Sequence, residues 1–192
     1  MATEYEWKFK ATPEMLAAID NTFIGAATEI AMETTYYDTP SGALSARHYT
    51  LRRRLENGVS VCTLKAPASS ARGEWETECE GIDAAIPKLL ALGCPEELSL
   101  FAAEGLVPIC SAKFTRLAKT VSFPGGMVEI ALDQGCLMGS NRKSPLCEVE
   151  VELKSGPTEL CDSFAKALAA QFSLEVEEKS KFRRALALYK GE

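Results

Sequence analysis

Glu4-Tyr5-Glu6-Trp7-Lys8-Phe9-Lys10 decides how this chain is read. Glu4, Glu6, Lys8 and Lys10 fall on one parity, and Tyr5, Trp7 and Phe9 on the other. A period of two is that of a β-strand, here with one charged and one aromatic face. Taken alone, the charged face could simply meet water. The device recurs, however. Glu74-Trp75-Glu76-Thr77-Glu78 repeats it. Met127 to Asp133 puts Glu129 and Asp133 opposite Val128, Ile130 and Leu132. Cys147-Glu148-Val149-Glu150-Val151-Glu152-Leu153 is the cleanest alternation of all.

The other segments fit between these strands. Thr12 and Pro13 open a helix carrying Met15, Leu16, Ile19 and Phe23. Residues 28–39 are extended and end in Tyr36-Tyr37-Asp38-Thr39. Asn57-Gly58 is a strong hairpin signal, so Leu51–Leu55 and Val59–Lys65 are predicted as paired strands with Arg52 and Arg54 on one face. Helices are predicted after Asp83, over Pro95 to Gly105, from Pro157 to Phe172 and from Lys179 to Tyr189. The count is about eight antiparallel strands with helices between them.

Composition narrows the functional classes. The 192 residues, 46% hydrophobic and 25% charged, suit one soluble globular domain spanning residues 1–192. A net charge of −6 argues against nucleic acid as the main partner. No apolar run approaches the roughly 18 residues of a membrane span. A charged strand stands where a secretory leader would begin. The seven cysteines contain no CxxC pair, so reduced thiols and a cytoplasmic location are expected. With His48 the sole histidine, any metal must be a hard cation held by carboxylates.

The apolar strand faces need cover, which amphipathic helices can supply. The charged faces could be solvated, or could turn inward and line a polar lumen. Eight strands enclose an interior wide enough for side chains or one small ligand. Runs of three carboxylates favour the lumen, because neighbouring like charges repel unless a cation lies between them. Triplets of both signs suit a linear polyphosphate. Arg and Lys grip its oxygens, and Mg²⁺ or Mn²⁺ on carboxylates bridges to the same oxygens.

The ordered set of motifs resembles the CYTH superfamily, the triphosphate tunnel metalloenzymes. It comprises Glu4-x-Glu6-x-Lys8, Tyr36-Tyr37-Asp38-Thr39, Leu51-Arg52-Arg53-Arg54, Thr63-Leu64-Lys65, Phe114-x-Arg116, Glu129 to Asp133, Glu148-x-Glu150-x-Glu152 and Ser180-Lys181. The resemblance is greatest to the bacterial inorganic triphosphatase branch. It implies a closed eight-stranded antiparallel β-barrel, an α+β tunnel with a charged lumen and its helices packed outside. Lys8, Arg52, Arg54, Lys65, Arg116 and Lys181 would contact the triphosphate. Glu4, Glu6, Glu129, Asp133, Glu148, Glu150 and Glu152 would hold metal or the attacking water; Glu76 could join either set, and Lys119 is a weaker candidate. Lys8, Lys65, Lys181 and Glu150 are the expected catalytic groups, in a monomer or homodimer with a small-molecule polyphosphate substrate. A class IV-type adenylate cyclase, a thiamine triphosphatase and a non-catalytic polyphosphate- or nucleotide-binding module are the alternatives.

Overall fold

The computed structural model describes residues 5–23, 25–67 and 73–192, so Glu4 lies outside the described residues. The chain begins with β1 (Glu6–Lys10) and α1 (Pro13–Thr22), then β2 (Thr28–Asp38) and a short α2 (Ala43–Ala46). A meander of β3 (Thr50–Glu56), β4 (Val59–Ala66) and β5 (Gly73–Glu78) follows. The β3–β4 turn places Asn57 and Gly58 at φ 49° and 89°, the two positive values a tight primed turn needs. Next come α3 (Ile82–Ala91) and α4 (Glu97–Glu104). Three long strands, β6 (Val107–Phe123), β7 (Gly126–Gly139) and β8 (Arg142–Ser155), form a second meander. The chain closes with α5 (Thr158–Phe172), β9 (Glu175–Val176) and α6 (Lys181–Lys190).

All nine strands belong to one sheet in the order β5-β4-β3-β2-β6-β7-β8-β1-β9, and every pairing is antiparallel. The register aligns the charged parities across strands. Glu6 lies opposite Glu152 and Glu152 opposite Glu129; Lys8 lies opposite Glu150; Glu148 lies opposite Asp133 and Asp133 opposite Arg116. A sheet has period two, so this register assigns all of these side chains to one face.

The other face is apolar and covered in two places. Against β1, β7 and β8, α1 and α5 bury Phe9, Val128, Ile130, Val149, Val151, Leu16, Ile19, Cys161 and Leu168. Against β3 and β4, α3 and α4 bury Leu51, Cys62, Leu64, Ile86, Leu89, Leu98 and Phe101. Trp7 stacks on Phe9 and donates its indole N–H to Asp162 at 2.8 Å, which makes it a packing residue.

Two expectations change. Among the described residues the strands number nine rather than eight and no ladder joins β5 to β9, so the hydrogen-bonded order there is open at its two ends. At two residues, β9 is too short to show any periodicity. Nor are all helices outside. Ala185, Phe182 and Leu186 of α6 pack with Met32, Tyr36, Ala112, Phe114, Leu137 and Leu146, which share the parity of the ionic side. Gly139 makes room for this helix: a Cβ there would lie 2.4 Å from the Tyr189 backbone nitrogen. The charged face therefore has an apolar lower half, and α6 fills it.

Asp38 explains the Tyr36-Tyr37-Asp38-Thr39 motif without chemistry. Its buried carboxylate accepts from the backbone N–H groups of Thr39 and Leu44 at 2.8 Å and of Ser45 at 3.1 Å, and so pins α2 to the end of β2. Asp38→Ala would strand those donors. It is expected to cost about 2–3 kcal/mol, read as a lower urea midpoint.

Candidate functional site

A cavity of about 170 Å³ opens on the charged face. Its walls come from β1 (Glu6, Lys8), β2 (Thr34, Tyr36), β3 (Arg52, Arg54), β4 (Lys65), β6 (Arg116), β8 (Glu150, Glu152) and the start of α6 (Lys181). Strands near opposite ends of the sheet order, β4 and β1, share this one space, so the sheet must curl strongly around it. The inward polarity expected from the alternation is thus observed for Glu6 and Glu150. Glu129 continues the Glu6–Glu152 row, and Glu76 lies on the same face of β5, where it accepts from Thr63 Oγ1 at 3.1 Å.

Beneath the cavity lies an ionic hub. Arg116 forms a fork on Asp133, with Nε–Oδ1 and Nη2–Oδ2 both 2.7 Å, and also pairs with Glu150. Lys181 Nζ reaches Asp133 at 2.8 Å, Glu150 at 2.6 Å and Glu148. Arg184, one turn further along α6, pairs with the other oxygen of Glu148 and reaches Glu177 at 3.5 Å. Side chains of Asp133 and Glu148 are 0% exposed. Three carboxylates and three cations balance, which is what permits their burial. Ser180 makes the geometry possible: it caps α6 by accepting from Arg183 N at 3.2 Å, which starts the helix with Lys181 over the hub.

Burial pushes the Glu148 carboxyl up to about 7, despite the opposing pull of Lys181 and Arg184. Glu150 is held well below the usual range; burial opposes this, and Lys181 and Arg116 overcome it. Because Glu148 titrates higher folded than its unfolded value of about 4.3, the folded state holds the extra proton between these limits. Its contribution to stability then falls as pH rises from about 4.3 to about 7 and is level outside that window. Urea unfolding of wild type and Glu148→Gln across this range is expected to favour the variant increasingly as pH rises.

The two other groups of charges differ. On the cationic wall, Lys65 pairs with Glu74 at 2.8 Å and Arg54 with Glu56, whereas Arg52 comes only within 3.9 Å of Glu74. Among the described residues, Arg52 Nε and Arg54 Nε, like Arg184 Nε in the hub, are buried without a hydrogen-bond partner. Burial lowers the pKa of Arg54, and the neighbouring positive charge of Arg52 adds to this. On the acidic row, Glu6 pairs with Lys8 at 3.0 Å, while Lys154 reaches Glu152 at 3.0 Å and Glu129 at 3.5 Å.

Two groups of carboxylates share the charged face, and among the described residues only the first draws one oxygen from each member within 4.8 Å of the others. That first group is Asp133, Glu148 and Glu150, but all three already face cations. Glu6, Glu129 and Glu152 are partly exposed and lie on adjacent strands. Both sets are all-oxygen, the chemistry a hard divalent ion takes.

Of the expected residues, only Glu4 cannot be placed. Lys119 stands apart: it donates to the Asp20 and Phe23 carbonyls at 2.7 and 2.9 Å and so ties down the end of α1. The sequence patterns do not single out Arg184, Glu74 or Lys154 as site residues. The parity of Lys154 with Glu152 was the available signal; Arg184 offered only its spacing from Lys181, one helical turn on.

An inorganic triphosphatase of Haemophilus influenzae is 29% identical over 157 residues, which are 80% of this chain and 45% of that protein. The chain thus spans about 45% of the length of that curated relative. An adenylyl cyclase candidate from Hippeastrum with a dominant triphosphatase activity superposes with a TM-score of 0.69 at 16% identity, over 99% of this chain and 97% of that one. An adenylate cyclase candidate from Bacillus halodurans gives 0.63 at 18% identity, over 95% and 96% of the two chains. These identities speak to fold alone. The CYTH domain model matches residues 2–186, nearly the whole curled sheet with its helices, and the chain therefore belongs to the CYTH domain family.

Proposed function

We propose that this chain is a metal-dependent hydrolase that cleaves inorganic triphosphate to pyrophosphate and phosphate. The observation that carries this reading is the pair of buried, unpartnered Arg52 Nε and Arg54 Nε in a cavity that also holds carboxylates. Two like charges side by side, with donors left open, suit an anion with several acceptor oxygens. The curled sheet is read as the wall of a triphosphate tunnel. The similarity to the Haemophilus triphosphatase agrees with this reading.

Arg52, Arg54, Lys65 and Lys8 would align the phosphate chain along the wall opposite the acidic row. Phosphoryl transfer needs little more than positioning and neutralisation of charge, and this wall supplies both. Lys181 and Arg116, fixed by the hub, would stabilise charge developing on the leaving oxygen. Glu6, Glu129, Glu152 and Glu150 would hold Mg²⁺ or Mn²⁺, which when bound neutralises phosphate oxygens and acidifies water. Asp133 and Glu148 would act by orienting Arg116, Lys181 and Arg184. The carboxylate of Glu150, kept ionised by its neighbours, is placed to orient the attacking water or take its proton.

Incubating the purified protein with triphosphate, ATP or thiamine triphosphate, each with Mg²⁺ or Mn²⁺, tests the reading. Phosphate release from triphosphate in clear preference to the others supports it. Cyclic AMP from ATP would make the protein a cyclase, preferential cleavage of thiamine triphosphate would make it a thiamine triphosphatase, and no turnover would make it a binding module.

A further inference from the structure

We propose that the Lys154 ammonium is a built-in competitor of the divalent cation, occupying the acidic row until a metal displaces it. The inference rests on the metal-dependent reading above but goes beyond it, because no phosphate or reacting atom is involved. Lys154 sits on β8 two residues beyond Glu152, on the same face. Its Nζ lies 3.0 Å from Glu152 and 3.5 Å from Glu129, and so bridges two adjacent strands of the row. Those are the two carboxylates that register sets side by side, with Glu6 next in line. Without a cation between them, like charges in neighbouring ladder positions would repel.

Charge counting gives the arrangement its meaning. Glu6, Glu129 and Glu152 carry three negative charges, and Lys8 and Lys154 return two positive ones. The described row is thus left with one net negative charge, little attraction for a divalent ion. When Lys154 swings out, the net charge of these described groups doubles, and Glu129 and Glu152 lose the ammonium they share. The swing is feasible because the Lys154 side chain is 37% exposed, against 11% for Lys181, whose ammonium is locked among three carboxylates. A flexible four-carbon stem carries the ammonium into water without moving β8. Lys8 is the less suitable counterion to release, since it also lines the cavity. In this arrangement Lys154 offsets the repulsion within the metal-free row and sets the metal concentration at which the site fills.

The test is Mn²⁺ binding to the full chain without substrate, followed by the free-ion electron paramagnetic resonance signal. Lys154→Gln is expected to bind Mn²⁺ about two- to fivefold more tightly than wild type, the range set by a partly exposed ion pair. The gain should shrink as salt rises, because the competing attraction is screened. Lys154→Arg keeps the charge and is expected to stay within twofold of wild type. Lys143→Gln, an exposed lysine near the start of β8, controls for net charge and is expected to change nothing. Unchanged or weaker Mn²⁺ binding in folded Lys154→Gln, or an equal gain in Lys143→Gln, overturns the proposal while leaving triphosphate cleavage by the wild type untouched. Absence of both Mn²⁺ binding and triphosphate cleavage in wild type overturns the underlying reading instead.

Discussion

Arg52→Ala is expected to lower kcat/KM for triphosphate by about 10²–10³ while leaving the melting temperature unchanged or raised. The two halves of this expectation have one cause. Arg52 and Arg54 stand on one face of β3 and both line the cavity, and each has a buried Nε with no partner. In the protein without ligand this is a cost: two guanidinium groups repel and are partly desolvated, and the pKa of Arg54 falls for those reasons. Removing Arg52 relieves that cost. Glu74 does not lose its counterion, because Lys65 remains 2.8 Å away and Arg52 was only at 3.9 Å. If the site binds triphosphate as proposed, the repulsion is offset when phosphate oxygens arrive, so the loss should fall on triphosphate turnover and not on folding. Steady-state kinetics with a parallel melt checks both halves, and a drop in melting temperature of several degrees would move Arg52 from the substrate site to the scaffold.

Lys181→Met is expected to do the reverse first, destabilising the fold by about 3–5 kcal/mol near pH 8. Its ammonium contacts Asp133, Glu150 and Glu148, two of which are wholly buried. The methionine fills similar volume, but leaves three carboxylates against Arg116 and Arg184 alone. An uncompensated buried carboxylate then takes up a proton, so its pKa rises above the unfolded value. A group shifted upward costs stability as pH rises through the window, and the penalty should therefore shrink towards pH 5. Urea unfolding at pH 8 and pH 5 measures this. Equal destabilisation at the two values would mean that Lys181 contributes packing and not charge.

The legibility of the sequence followed the physics of each element. Strand parity is read directly, so Glu6, Lys8, Arg52, Arg54, Lys65, Arg116, Glu150 and Glu152 were all placed on one face, and the structure brings them to one cavity. The Asn57-Gly58 turn was equally plain, because few dipeptides accept two positive φ values. Parity does not report depth along a strand. It gave Asp133 and Glu148 the same standing as Glu152, although the first two are sealed beneath the cavity and the third is partly open. Helix periodicity reports an apolar stripe, not the surface that receives it. The Phe182 and Leu186 spacing was visible, but only the small residue Gly139 on β7 reveals that α6 sits on the inner face. Whether the sheet closes depends on long-range pairing that no local pattern encodes, and α2 and β9, at four and two residues, are too short to repeat a helical or strand period.

On the proposed reading, the inward charged face grips triphosphate between a cationic wall and an acidic row. A crystal of the protein grown with triphosphate and Mn²⁺, with anomalous data collected for the metal, tests it most directly. Phosphate oxygens are expected within hydrogen-bond distance of Arg52 and Arg54, and a manganese peak beside Glu6, Glu129 and Glu152 with the Lys154 side chain turned to solvent. Triphosphate bound on the outer, helix-covered face, or manganese held away from that acidic row, would contradict it.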